Sequence, residues 1–130
     1  MSTSSKSWNA TIPDFDLTSP NKLLRMHFAQ RSRLKKAIEI QLVGFGDPIV
    51  ELLPMVDLKI VRYYGYRKRA FDLDNLYGSV KLLVDAMRGL KIILEDTPKH
   101  INLTVEQEKS PDKSTFVKIS ASESRNSAKI

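Results

Sequence analysis

The sequence predicts an α+β protein, a two-layer α/β sandwich in which two helices cover one face of a small mixed sheet, in the order β-α-β-α-β-β. Three observations lead there. Segments of alternating polarity and segments of 3.6-residue spacing follow one another along the chain. Gly and Pro fall mostly between them. The 130 residues are enough for one sizeable core, since roughly two-thirds of the extended surface is buried at this size, and too few for two.

The elements are read in chain order. Residues 8–12 form a short strand, held to a sheet edge or end by Pro13, which has no N–H to donate. Ser19-Pro20 opens the first helix, because serine caps orphan amides and proline suits a first turn. Leu23, Leu24, Phe28, Leu34, Ile38 and Leu42 approximate its apolar stripe, and Gly44 and Gly46 supply the stop. Val56, Leu58 and Ile60 alternate with Asp57, Lys59 and Val61, so a second strand spans residues 55–64. In the second helix, Leu76, Val80, Leu83, Val84 and Met87 make the apolar face. Asp74, Gly78, Lys81, Asp85 and Arg88 fall on another stripe, and Gly89 marks the end. Ile101, Leu103 and Val105 alternate with Asn102 and Thr104. After the turn residues Ser110-Pro111-Asp112, the run Val117, Ile119 and Ala121 alternates again, and these two runs read as a hairpin. Residues 1–122 are expected to form one domain and residues 123–130 a polar, frayed tail.

Composition narrows the chemistry. With 42% hydrophobic and 28% charged residues, the chain is neither fibrous nor disordered. A formal charge of +6 points to a polyanion partner or an acidic surface. The absence of cysteine excludes disulfides, thiol nucleophiles, iron–sulfur clusters and cysteine-based zinc sites. With only His27 and His100 as nitrogen ligands, a metal site would be mostly carboxylate, the hard oxygen chemistry of Mg²⁺ or Mn²⁺. Residues 1–10 lack the apolar core of a secretory signal. The longest apolar stretch, residues 49–56, is interrupted by Glu51 and Pro54 and is too short to span a bilayer. A cytoplasmic protein without a membrane partner is the expectation.

The informative segment runs from Arg67 to Leu76. Three consecutive cations, Arg67, Lys68 and Arg69, lead into Asp72 and Asp74 at the junction of a strand and a helix. In extended geometry the i, i+2 spacing points both carboxylates to one side, and an ionised pair can share a divalent cation if a third acid arrives from elsewhere. Glu95-Asp96 is the candidate. Against this stands a simpler reading, in which Asp72 or Asp74 is a helix N-cap. Lys81 and Asp85, four apart on a helix, ordinarily make only a weak surface pair. Cations also gather in two acid-free stretches. Lys22, Arg25, Arg31, Arg33, Lys35 and Lys36 lie between residues 22 and 36, and five more lie between Lys59 and Arg69. Such stretches suit a broad phosphate-binding face. Tyr63, Tyr64 and Tyr66 are either strand packing or stacking platforms for unpaired bases.

Together these motifs resemble the RusA family of Holliday junction resolvases. The resemblance rests on Asp72-Leu73-Asp74-Asn75, on Lys81 four residues before Asp85, and on the acidic pair Glu95-Asp96. It extends to the segment from Pro20 to His27 and to Asp96-Thr97-Pro98-Lys99, which look like phage and prophage members, and it covers residues 12–103. One departure stands out. The family's lysine follows D-x-D-N after two residues, whereas five intervene here, residues 76–80. Glu95 also replaces the first member of a common Asp-Asp pair.

The resemblance implies a small homodimeric endonuclease that cuts four-way DNA junctions with Mg²⁺. Asp72, Asp74 and Asp96 would be its metal ligands, and Lys81 would place a charge at the phosphoryl oxygens. Lys22, Arg25, Arg31, Arg33, Arg67, Lys68 and Arg69 are the candidate DNA contacts. Two other classes compete with it. One is a basic DNA-binding module without catalysis, whose carboxylates only cap the helix. The other is a dimeric interaction protein of the same fold.

Overall fold

The computed structural model describes residues 6–52, 55–65, 68–94 and 101–123. Four strands, β1 (Ser7–Ile12), β2 (Val56–Tyr64), β3 (Ile101–Lys109) and β4 (Phe116–Glu123), form one mixed sheet of order β1-β4-β2-β3. Helical segments α1 (Pro20–Arg25) and α2 (Phe28–Phe45) follow β1, and α3 (Leu73–Gly78) and α4 (Lys81–Gly89) follow β2. The predicted α+β class and element order hold, with each of the two helices divided in two.

Pairing in the sheet departs from the expected hairpin. β3 and β4 are consecutive but do not pair, because β2 lies between them, parallel to β3 and antiparallel to β4. Strands next to each other in sequence usually neighbour in space, and that habit fails here for a physical reason. β2 buries Val56, Leu58, Ile60, Val61 and Arg62, making it the most apolar strand and the natural centre of the sheet. The 110–115 connection crosses the end of β2, where the Ser110 amide donates to the Tyr64 carbonyl (2.9 Å) and the Gly65 amide to the Thr115 hydroxyl (2.9 Å). β1 is an edge strand, as Pro13 requires.

Register aligns the inward side chains into rows. Trp8, Ala121, Leu58 and Leu103 make one row, and Ala10, Ile119, Ile60 and Val105 the next. The third row begins with Ile12 and Val117 and ends with Arg62 and Gln107. Against this face pack Ile38 and Leu42 of α2 with Leu83, Val84, Ala86 and Met87 of α4. The opposite face is open and polar. There Lys59 pairs with Glu106 (3.4 Å), and Tyr63 stacks on Phe116 with ring centroids 4.5 Å apart, beneath the Lys118 ammonium.

The break in the first helix corrects its predicted apolar stripe. Met26 is extended (φ −80°, ψ 137°), and the chain restarts with His27 as N-cap. The His27 imidazole accepts from the Ala29 amide (3.3 Å), and the Gln30 side chain accepts from the His27 amide (3.2 Å). This reciprocal box re-phases the helix, so Leu24 and Phe28 are 81% and 69% exposed while Ile38 and Leu42 are buried. In the second helix, α3 stops at Gly78 and the apolar face resumes in α4. Residues 76–80, the five that separate the D-x-D-N motif from Lys81, form the end of α3 and the turn that follows it. The Ser79 hydroxyl donates to the Leu76 carbonyl there (2.6 Å).

Candidate functional site

The segment leading into Asp72 is pinned to the sheet by two polar side chains, the buried Arg62 and the half-buried Gln107. Arg62 is 1% exposed and stands at an inward position of β2, where an aliphatic residue would continue the row. Its Nε donates to Asp16 Oδ1 (2.6 Å) and one terminal nitrogen to Asp16 Oδ2 (3.0 Å), a bidentate charge-assisted pair. The other terminal nitrogen donates to the Arg69 carbonyl (2.9 Å) and to Gln107 Oε1 (3.2 Å). Gln107 in turn clasps the Phe71 backbone. The Phe71 amide donates to Gln107 Oε1 (3.0 Å), and Gln107 Nε2 donates to the Phe71 carbonyl (2.6 Å). The Arg62 guanidinium lies 3.9 Å from the centre of the Phe71 ring, within cation–π range.

A loop fixed at Arg69 and Phe71 delivers the next residue, Asp72, to a defined place. Asp72 is the N-cap of α3. Its Oδ1 accepts from the Asn75 amide (2.8 Å) and its Oδ2 from the Asn75 side chain (3.3 Å). The expected extended geometry of the pair is therefore replaced, because the helix already begins at Leu73 and Asp74 sits in its first turn. Both carboxylates are exposed. Each Asp72 oxygen retains a lone pair beyond its bond to Asn75, and Asp74 makes no hydrogen bond or ion pair with the described residues. Two hard oxygen donors near the start of one helix fit a divalent cation such as Mg²⁺ in chemistry. Among the described residues, no three His, Asp or Glu side chains are grouped to hold a metal ion. Asp96 and Glu95, the expected third donor and its neighbour, lie outside those residues, as do Arg67 and Tyr66. Lys81 is the exposed first residue of α4, separated from α3 by the turn at Ser79 and Val80.

Four of the candidate cations border two concavities. Lys22, Lys68 and Arg69 border a cavity of about 470 Å³ floored by Asp16, Arg62 and Phe71. Arg31 borders a shallower one of about 250 Å³ between α2 and α4, with Phe28, Lys35 and Asp85. Arg25 and Arg33 are exposed on α1 and α2. Arg62 is one of the five cations of the second basic stretch, yet it faces the core instead of solvent. Sequence reasoning missed Asp16, Arg62 and Gln107 as a unit. The signal was present in the strands, since Arg62 continues the series Val56, Leu58, Ile60, and Gln107 continues Ile101, Leu103, Val105.

In comparisons with known proteins, no family model and no curated protein matches the chain. Among the described residues, no helix is long and apolar enough to cross a membrane.

Proposed function

We propose that this protein is a Mg²⁺-dependent endonuclease of branched DNA, a Holliday junction resolvase of the RusA type. The observation that carries the reading is the succession of a cation-lined cavity ending at Phe71 and two exposed carboxylates beginning at Asp72. Phosphate contacts position a strand, and acids adjoining them can act on the phosphodiester. Asp72, Asp74 and Asp96 are the assigned donors to the cation. Bound there, Mg²⁺ or Mn²⁺ would supply a lowered water pKa and neutralise charge gathering on the phosphate. Lys81 contributes a further positive charge to the phosphoryl oxygens, and Lys22, Lys68 and Arg69 hold the backbone. The buried pair of Arg62 and Asp16 keeps the approach to Asp72 rigid, which fixes donor placement before substrate arrives.

The assigned protein partner is a second copy of the chain, since two symmetric cuts need two sites. Ile40, Val43 and Phe45 on α2 leave an apolar surface exposed that suits such a contact. The deciding experiment compares cleavage of labelled four-way, forked and linear DNA in Mg²⁺. Preferential cutting of the four-way substrate, lost in Asp74→Asn, is expected. Equal rates on all three would leave a nuclease and remove the resolvase assignment, and wild-type turnover by Asp74→Asn would remove the metal site.

One observation favours a second reading. Both Asp72 oxygens accept from Asn75, as those of an N-cap do, and such a cap is the arrangement expected of a DNA-binding module without catalysis. Salt-sensitive DNA binding with no cleavage in Mg²⁺ or Mn²⁺ would select that reading.

A further inference from the structure

The two cationic stretches are distant in sequence, yet Lys22 of the first and Lys68 and Arg69 of the second face one cavity. We propose that this cavity is a built subsite for a single backbone phosphate of a DNA strand, held by Lys22, Lys68 and Arg69 beside the acids of α3. The inference deepens the nuclease reading and rests on it for the identity of the phosphate's source.

Charge is the first argument. The lining residues hold four basic side chains and one acid, Asp16, a formal surplus of three positive charges in a pocket of about 470 Å³. Asp16 is already engaged, accepting two bonds from Arg62, one from the Leu17 amide (2.8 Å) and the Lys68 ammonium at 3.6 Å. The surplus thus falls on side chains at the mouth.

Preorganisation is the second. Arg62 is buried and held by Asp16, Gln107 and the Arg69 carbonyl, so the floor does not have to be ordered when an anion enters. Asp16 also draws the Lys68 ammonium toward the pocket. Hydroxyl donors complete the wall. Ser19 Oγ accepts from the Lys22 amide (3.3 Å), which leaves its own proton free to donate, and Thr18 stands beside it. A phosphodiester presents several acceptor oxygens and one negative charge, matching cations and hydroxyls together.

The test is made in EDTA, so that binding is read without cleavage. Titration with inorganic pyrophosphate, followed by amide chemical shifts, is expected to move Ser19, Lys22, Lys68 and Arg69. With a short labelled single strand, Lys22→Ala and Lys68→Ala should each lower the slope of log affinity against log salt by about 0.7, the value for one phosphate contact on a single strand. Lys118→Ala, on the open face of the sheet, should change neither readout. Shifts confined to other residues, or wild-type slopes in both variants, would overturn the subsite. The two proposals separate cleanly. A protein that binds pyrophosphate here but cuts no DNA supports the subsite and loses the nuclease. One that cuts junctions with an unchanged KM in both variants keeps the nuclease and loses the subsite.

Discussion

Arg62 and Asp16 meet in a bidentate pair, Nε to Oδ1 at 2.6 Å and a terminal nitrogen to Oδ2 at 3.0 Å, with the guanidinium 1% exposed and the carboxylate 18%. The pair joins the loop after β1 to the centre of the sheet. Through the Arg69 carbonyl and Gln107 it also reaches the backbone just before Asp72.

Removing one partner strands the other. Asp16→Ala leaves a buried guanidinium without its counter-charge and should cost about 3 kcal/mol, near the low end for breaking a buried pair because Asp16 is partly solvated. Trp8 is the single tryptophan and is fully buried, so its fluorescence in a urea titration reports the loss. A midpoint equal to that of the wild type would show that the pair carries no stability.

The two roles of Asp72 can be separated by chemistry. Asp72→Ala removes the N-cap and should cost about 1 kcal/mol, whereas Asp72→Asn keeps a capping oxygen and should remain within a few tenths of the wild type. Both remove the charge. If Asp72 binds a cation, Asp72→Asn abolishes Mg²⁺-dependent cleavage in a fully stable protein. Retained cleavage by that variant would leave Asp72 as a cap alone.

Two glycines near the end of α2 should respond in opposite directions. Around Gly44, a Cβ would meet nothing within 4 Å, so Gly44→Ala in a helix should stabilise by about 0.5–1 kcal/mol. A Cβ on Gly46 would run into the Trp8 ring and lie 2.5 Å from the Leu42 carbonyl oxygen. Gly46→Ala should therefore destabilise by about 1–3 kcal/mol. Thermal unfolding of the two variants side by side measures the difference.

The turn after β3 is acid-sensitive. The Ser114 hydroxyl (2.6 Å), the Ser110 hydroxyl (2.9 Å) and the Ser114 amide (3.2 Å) donate to Asp112 and hold its carboxyl below the ordinary aspartate value. A depressed folded pKa means that its contribution is complete above the unfolded value of about 3.9 and is lost as pH falls through the folded value. An NMR titration should show Asp112 protonating later than a free aspartate on acidification, and Asp112→Asn should remove that transition. A titration at the ordinary value would show that the serines do not stabilise the anion.

Much of the framework was legible because it is written locally. Alternation in residues 55–64, 101–105 and 117–121 located three of the strands, residues 8–12 were placed as a short strand bounded by Pro13, and the spacing of Leu76, Val80, Leu83, Val84 and Met87 defined the buried face of α3 and α4. The D-x-D-N motif was visible as a helix start, one of the two roles open to it. The break at His27 was less visible, since a capping box led by histidine lies outside the usual Ser, Thr, Asp and Asn signals.

By itself, the sequence determined which segments are strands, which are helices, and which acids and bases stand beside one another along the chain. Only the tertiary structure decided that β2 separates β3 from β4, because strand order depends on which strand is apolar enough to be flanked on both edges. It also turned Arg62 from a surface cation into a core anchor and brought Lys22 to Lys68 and Arg69. Periodicity reports which way a side chain faces. It does not say which distant residue it will meet, and here the meeting of Asp16, Arg62 and Gln107 sets the approach to Asp72.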